Sequence, residues 1–177
     1  MFDNPLKMNL RHRMGGMSLD IDIRLTQSWT VLFGPSGSGK TTILRAIAGF
    51  ILPEEGRISI GADVCFDSAT NVFVPPHLRD VRSAGQRARL FPHMTVRQNV
   101  LYGIGQPENR SQSADIAEKV MASFRIETLK DRRPRDLSGG EQQRACVARA
   151  LVSAITCSNK QKRPLLLLDE PLNGLDL

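Results

Sequence analysis

Gly34-Pro35-Ser36-Gly37-Ser38-Gly39-Lys40-Thr41 has the spacing G-x-x-x-x-G-K-[ST], which builds a cradle for phosphate. Glycines let the backbone wrap closely, so its N–H groups and the positive end of the following helix point at phosphate oxygens. Lys40 then brings charge to the β- and γ-phosphates, the Thr41 hydroxyl ligates Mg²⁺, and Thr42 belongs to the same nucleotide-binding turn. Further along, the apolar run Leu165 to Leu168 ends in Asp169-Glu170, and successive side chains of an extended segment point in opposite directions. The two acids therefore take different tasks: Asp169 as Mg²⁺ partner, Glu170 as the base that takes a proton from an attacking water. A third group, Ser138-Gly139-Gly140-Glu141, joins a glycine pair to an S-x-x-E capping box, so a helix starts there and its first N–H groups form a second phosphate cradle.

These residues need particular elements to hold them. Trp29 to Phe33 is a continuous apolar, β-prone run, the pattern of a strand buried on both faces, and it leads into Gly34. A helix is expected from Lys40, with Ile43, Leu44 and Ile47 on one face and Gly49 as its stop. Leu6, Met8 and Leu10, then Leu19, Ile21, Ile23 and Leu25, alternate with polar residues around Gly15-Gly16 and predict an antiparallel hairpin. A second strand pair is expected over Arg57 to Ile60 and Val64 to Phe66, closed by Pro75-Pro76. Residues 105–113 read as a polar loop and 114–129 as a helix that Pro134 closes off. The helix after Ser138 is expected to bury Ala148, Leu151, Val152 and Ile155. Alternating strands and helices argue a largely parallel sheet.

Composition sets the class. The 177 residues, 41% hydrophobic and 24% charged, suit one folded α/β domain. The longest unbroken apolar run, Leu165 to Leu168, is too short to span a bilayer, and the N-terminus lacks the pattern of an export signal. Three widely spaced cysteines give neither a disulfide framework nor a zinc site. A net charge of +6 raises nucleic acid, phosphate ligands or an anionic membrane surface as partners. The densest basic spot, Arg132, Arg133 and Arg135, has no interleaved aromatics to stack bases and reads as a solvated loop.

Leu137-Ser138-Gly139-Gly140-Glu141-Gln142-Gln143-Arg144 resembles the ABC signature L-S-G-G-x-Q-x-R, and with the phosphate loop it makes the chain similar to ABC-type ATPases over nearly its whole length. The resemblance implies a P-loop NTPase fold: a mostly parallel core sheet, an N-terminal antiparallel β subdomain and an α-helical signature subdomain at roughly residues 87–137 of a single domain. It implies ATP and Mg²⁺ as ligands, and it adds Gln86, aligned with the Q-loop glutamine, as a residue touching Mg²⁺ and the attacking water. Leu172-Asn173-Gly174-Leu175-Asp176 resembles the D-loop, through which Asp176 helps join subunits. The implied partners are a second copy stacked head to tail, transmembrane permease subunits and, indirectly, a substrate-binding protein, with the ATPase peripheral on the cytoplasmic face of the cell membrane and no nucleic acid bound. The surroundings of Gln86 depart from the family pattern, with Ser83-Ala84-Gly85 before it and Arg87 after it. No aromatic stands around Arg11 to Met14, where many relatives stack adenine; His12, the nearest planar side chain, reads as a surface histidine.

Phe91-Pro92-His93-Met94-Thr95-Val96 resembles importer subunits, and Phe66 to Pro76 together with Ala88-Arg89-Leu90-Phe91-Pro92-His93 looks most like ATPases that import a small anion such as molybdate. The alternatives are a soluble ABC-type ATPase acting on DNA or ribosomes, and a P-loop kinase or GTPase. DNA-repair relatives carry long coiled coils between Q-loop and signature, absent between Gln86 and Leu137, and no N-K-x-D guanine-reading motif occurs. The family's switch histidine lies on a strand after the D-loop, which is not in the chain that ends at Leu177. In the implied fold that strand separates the phosphate-loop strand from the Asp169 strand, so residues 1–177 by themselves are expected neither to fold stably nor to hydrolyse ATP.

Overall fold

The computed structural model describes residues 5–87, 89–104, 110–157 and 164–171. They fall into two compact units, one ending at Arg79 and the other beginning at Asp80.

The first unit is built on the alternation read above. Strands β1 (Leu6–Met14) and β2 (Met17–Leu25) pair antiparallel in the register Leu6↔Leu25 to Met14↔Met17, turning at Gly15-Gly16. A sheet of order β2-β1-β3-β4-β5 continues through β3 (Glu55–Ile60), β4 (Asp63–Asp67) and β5 (Val72–Phe73). Met8 lies opposite Ile58 and Leu6 opposite Ile60, all four buried, so one face of β1 and β3 is apolar and fixes the register. Helix α1 (Lys40–Ala48) buries Ala46, Ile47 and Ala48 and ends at Gly49, whose φ of 84° only glycine adopts freely. A Cβ there would also lie 2.8 Å from the Arg79 guanidinium.

Arg79 explains why that spot must stay open. Its Nη1 donates to the carbonyls of Ala46 and Ile47, both at 2.8 Å, in the last turn of α1. Nη2 donates to Cys65 C=O on β4 at 3.1 Å, and Nε to Val74 C=O at 2.7 Å. The guanidinium thus joins helix to sheet at the negative end of α1, adding a second donor to Ala46 C=O beside the Gly49 N–H and a donor to Ile47 C=O. Burial lowers its pKa, with a smaller opposing effect from Cys65.

Trp29 to Phe33 is not a buried strand. The segment has no regular structure, and Trp29, Val31 and Phe33 are 82%, 69% and 99% exposed. β-propensity expresses packing against neighbouring strands, and no described strand pairs with this one.

In the second unit, β6 (Val81–Ala84) and β7 (Leu165–Leu168) run parallel, and parallel pairing is confined to them among the described residues. Helix α2 (Val96–Tyr102) starts at a capping box of Thr95 and Gln98, and α3 spans Arg110–Ser123. Helicity therefore begins ahead of residue 114, inside the stretch expected to be loop. It also stops before 129: Arg125 adopts φ 53°, Ile126 N–H bonds Met121 C=O and Arg125 N–H bonds Ala122 C=O, a Schellman ending with buried Ile126 as its apolar anchor.

Helix α4 (Gly139–Thr156) is buried on two sides. Ala145, Ala148 and Val152 meet Val96 and Val100 of α2 and Ala117 and Met121 of α3, while Cys146, Val147 and Ala150 cluster with Ala84 of β6. Ile155, expected on the buried face, is 44% exposed because it lies a turn past that contact. Arg132, Arg133 and Arg135 are exposed, as expected. No helix among the described residues is long and apolar enough to cross a membrane.

Replacing Arg79 with Met leaves several buried carbonyls short of a donor, each costing about 1–3 kcal/mol. Because some keep a backbone donor, a net loss of about 3 kcal/mol is expected. Urea unfolding of the purified protein should show this as a lower midpoint at unchanged slope.

Candidate functional site

The phosphate loop belongs to the first unit. Ser38 N–H closes a turn onto Pro35 C=O at 3.2 Å, and Gly37 and Gly39 adopt φ 82° and 93°. A Cβ on Gly39 would lie 2.9 Å from the Leu19 side chain, so sterics and dihedral both require glycine where the chain enters α1. The first intrahelical bond runs from Ile43 N–H to Gly39 C=O at 2.9 Å. Amides ahead of it have no carbonyl one turn back, and with the helix dipole they make an anion site.

Lys40 Nζ folds over the loop and donates to Gly34 C=O and Pro35 C=O, both at 2.8 Å. These partners are neutral carbonyls, so the ammonium holds the loop in shape, and an anion would be a stronger partner for it. Thr41 follows in the first helical turn, and Thr42 Oγ1 donates to Met14 Sδ at 2.9 Å, fastening the end of β1 to the loop. His12, two residues earlier, is half-buried rather than on the surface, and its Nδ1 is covered without a partner.

The carboxylates and the Q-loop glutamine belong to the second unit. The register Val81↔Leu165 to Ala84↔Leu168 ends β6 and β7 level with each other, so Gly85-Gln86 and Asp169-Glu170 leave the same edge. Carboxyl ends of parallel strands are where open α/β sheets bind ligands. Asp169 N–H extends the ladder to Ala84 C=O at 2.9 Å, and its side chain is buried, whereas Glu170 is exposed. Both acids lie past the last residue of β7 and Glu170 is not extended, so the strand alternation expected of them does not reach this far. Glu170 turns away with φ 48°, and its Oε2 accepts a hydrogen bond from Gln86 Nε2 at 2.8 Å. The structure thus brings together Gln86 and Glu170, which lie far apart in sequence.

The signature residues open α4. Ser138 Oγ accepts from Glu141 N–H at 3.3 Å, and Glu141 Oε2 accepts from Ser138 N–H at 2.7 Å, the capping box read in the sequence. The amides of Gly139 and Gly140 precede the first helical bond, Gln142 N–H to Ser138 C=O, and nothing lies within 4 Å of where a Gly139 Cβ would stand. Gly139 therefore presents open backbone to an approaching anion. Leu172 to Asp176, the D-loop resemblance, lies outside the described residues.

Sequence reading missed Gln143 and Asn99, both buried polar residues with hydrogen bonds into the segment that follows β6. The T-x-x-Q capping signal at Thr95 would have located α2 and hence Asn99; nothing in the sequence marks Gln143.

A family model described as ABC transporter matches residues 17–173. The molybdenum import ATP-binding protein ModC of Paramagnetospirillum magneticum is 41% identical over 173 residues, covering 97% of this chain and 45% of the relative. Proteins of the same name from Vibrio parahaemolyticus and Pseudomonas aeruginosa are 40% and 42% identical, again over 97% of this chain and 44% and 45% of the relatives. The chain spans less than half the length of these curated relatives.

The capping box carries a testable electrostatic signature. The Ser138 backbone N–H, foremost, holds the Glu141 pKa below its ordinary 4.5; desolvation, the next largest effect, opposes it, and the Ser138 hydroxyl, Arg132 and Arg144 add smaller lowering contributions. A carboxylate with a depressed folded pKa stabilises the fold above its unfolded pKa and loses that stabilisation as pH falls through the folded value. An NMR titration should give Glu141 a midpoint below 4.5, and Ser138→Ala should raise it while fraying the start of α4.

Proposed function

The chain belongs to the ABC transporter family, and on that premise we propose that it is the ATP-binding and ATP-hydrolysing part of an importer of a small oxyanion such as molybdate. The printed names of its relatives, molybdenum import ATP-binding proteins, support the cargo. One observation carries the hydrolytic reading: the 2.8 Å hydrogen bond that joins Gln86 to Glu170 at the carboxyl edge of β6 and β7.

In this reading Gly34, Pro35, Ser36, Gly37, Ser38 and Gly39 wrap the phosphates of ATP, with Lys40, Thr41 and Thr42 completing the cradle. Lys40 leaves its carbonyl partners for phosphate oxygens. The oxygen donors of Thr41, Asp169 and Gln86 suit a hard cation, and the buried Asp169 carboxylate is the strongest of them. Mg²⁺ held there would neutralise charge building on the β- and γ-phosphates. Water attacks the γ-phosphorus, the bond to the ADP oxygen breaks, and Glu170 takes the water's proton. Gln86 fixes one carboxylate oxygen and so orients the base.

Ser138, Gly139 and Gly140 of a second, head-to-tail copy would close over the nucleotide with backbone amides. The bilayer span falls to permease subunits, and the chain sits peripherally on the cytoplasmic face of the membrane as a single ATP-binding domain with its helical subdomain at roughly 87–137. A substrate-binding protein acts indirectly, and no nucleic acid is bound.

In the full-length protein, Lys40→Ala removes a charge-assisted contact worth about 1.5–3 kcal/mol, so ATP affinity should fall roughly 10- to 100-fold. Glu170→Gln should preserve ATP binding and slow phosphate release by about 100-fold or more. Equal turnover in Glu170→Gln and wild type would sink the role given to this carboxylate. With Met14 held by Thr42 and no aromatic from Arg11 to Met14, base discrimination should be weak. GTP should bind within about tenfold of ATP, a gap of roughly 1.4 kcal/mol, in a competition assay.

A further inference from the structure

We infer that Gln143 of α4 is a positioning residue for the Gln86–Glu170 pair, so that the helix begun by Ser138 sets the geometry of the general base in its own chain. The inference rests on the hydrolytic reading above.

Gln143 is 3% exposed, and a buried amide must spend its donors. Its Nε2 donates to Gly85 C=O at 3.3 Å, the peptide immediately before Gln86. Six residues further along the same helix, about 9 Å by helical rise, Arg149 donates from Nη2 to Arg89 C=O at 2.6 Å. Its Nη1 reaches Asn99 Oδ1 at 3.3 Å, and its guanidinium lies 5.1 Å from the Phe91 ring centre. Asn99, fully buried, accepts from Phe91 N–H at 2.8 Å and donates to the carbonyls of Phe91, Met94 and Thr95. Helix α4 therefore grips the backbone on both sides of Gln86.

Gln86 is itself exposed, so packing does not choose its rotamer. Its reach to Glu170 depends on where Gly85 is held. That point is fixed from one side by the β6–β7 ladder, which ends at Ala84 C=O, and from the other by Gln143. A shift of about 1 Å at a reacting group costs on the order of 100-fold in rate. Because Ser138 to Gly140 open the same rigid helix, ordering of that end by nucleotide would be carried through Gln143 to the base.

The test uses the full-length protein assembled with its permease, and compares wild type, Gln143→Met, Gln86→Ala and the double variant in steady-state and single-turnover ATP hydrolysis. Gln143→Met keeps volume and loses the donor. It should lower kcat roughly tenfold with KM for ATP within about twofold, and add less than about twofold on top of Gln86→Ala, because both act through one contact. Unchanged kcat, a parallel loss of ATP binding, or full additivity with Gln86→Ala would overturn the inference. If Gln143→Met does not fold, Arg149→Met tests the other grip, with a kcat-selective, non-additive loss expected and normal kcat contradicting it. A wild type that fails to hydrolyse ATP overturns the hydrolytic reading and the inference together, whereas an active wild type beside a fully active Gln143→Met overturns the inference alone.

Discussion

Two-sided burial of α4 is the constraint on which the second unit depends. A helix with one apolar stripe can be peeled from its partner, but α4 presents Ala145, Ala148 and Val152 to helices and Cys146, Val147 and Ala150 to a strand cluster. Small residues on both sides let the packed backbones come close. Strand β6 is only four residues long and could not persist without that cover. Once α4 is fixed, the carboxyl edge of β6 and β7 is fixed, and the chemistry of the unit follows from its position.

The first unit solves a different problem, that of keeping a glycine-rich loop in shape. Its loop carries two left-handed glycines and would otherwise relax, yet Lys40 ties the loop to itself through its own carbonyls. The charge of Lys40 thereby serves the loop's own geometry. At the far end of α1, Arg79 performs the corresponding task with carbonyls of helix and sheet, beside the buried side chains of Ala46, Ile47 and Ala48.

Much of this was legible in the sequence where local chemistry dictates local structure. The G-x-x-x-x-G-K-[ST] spacing, the Ser138-to-Glu141 box and the β1–β2 alternation each specify their geometry without outside help, and each is present. Sequence reasoning failed where tertiary partners decide. Trp29 to Phe33 has strand propensity but no described partner, and Ile155 fits the helical period yet lies past the end of the contact. Helix α3 stops at Arg125 because Ile126 is drawn into the core, a cue that a search for glycine caps overlooks. The Gln86–Glu170 pair spans most of the unit, and only the resemblance pointed to Gln86.

The left-handed backbone of Glu170 has its own implication. A non-glycine residue at φ 48° raises the free energy of the folded chain by about 1–2 kcal/mol, and nothing in β7 obliges the strand to finish that way. The conformation turns the carboxylate off the strand toward Gln86, so the protein accepts a less stable fold to hold that hydrogen bond. Glycine at this position should therefore make the fold more robust to heat while removing the carboxylate, and a screen for thermal tolerance alone would select against the side chain that Gln86 holds.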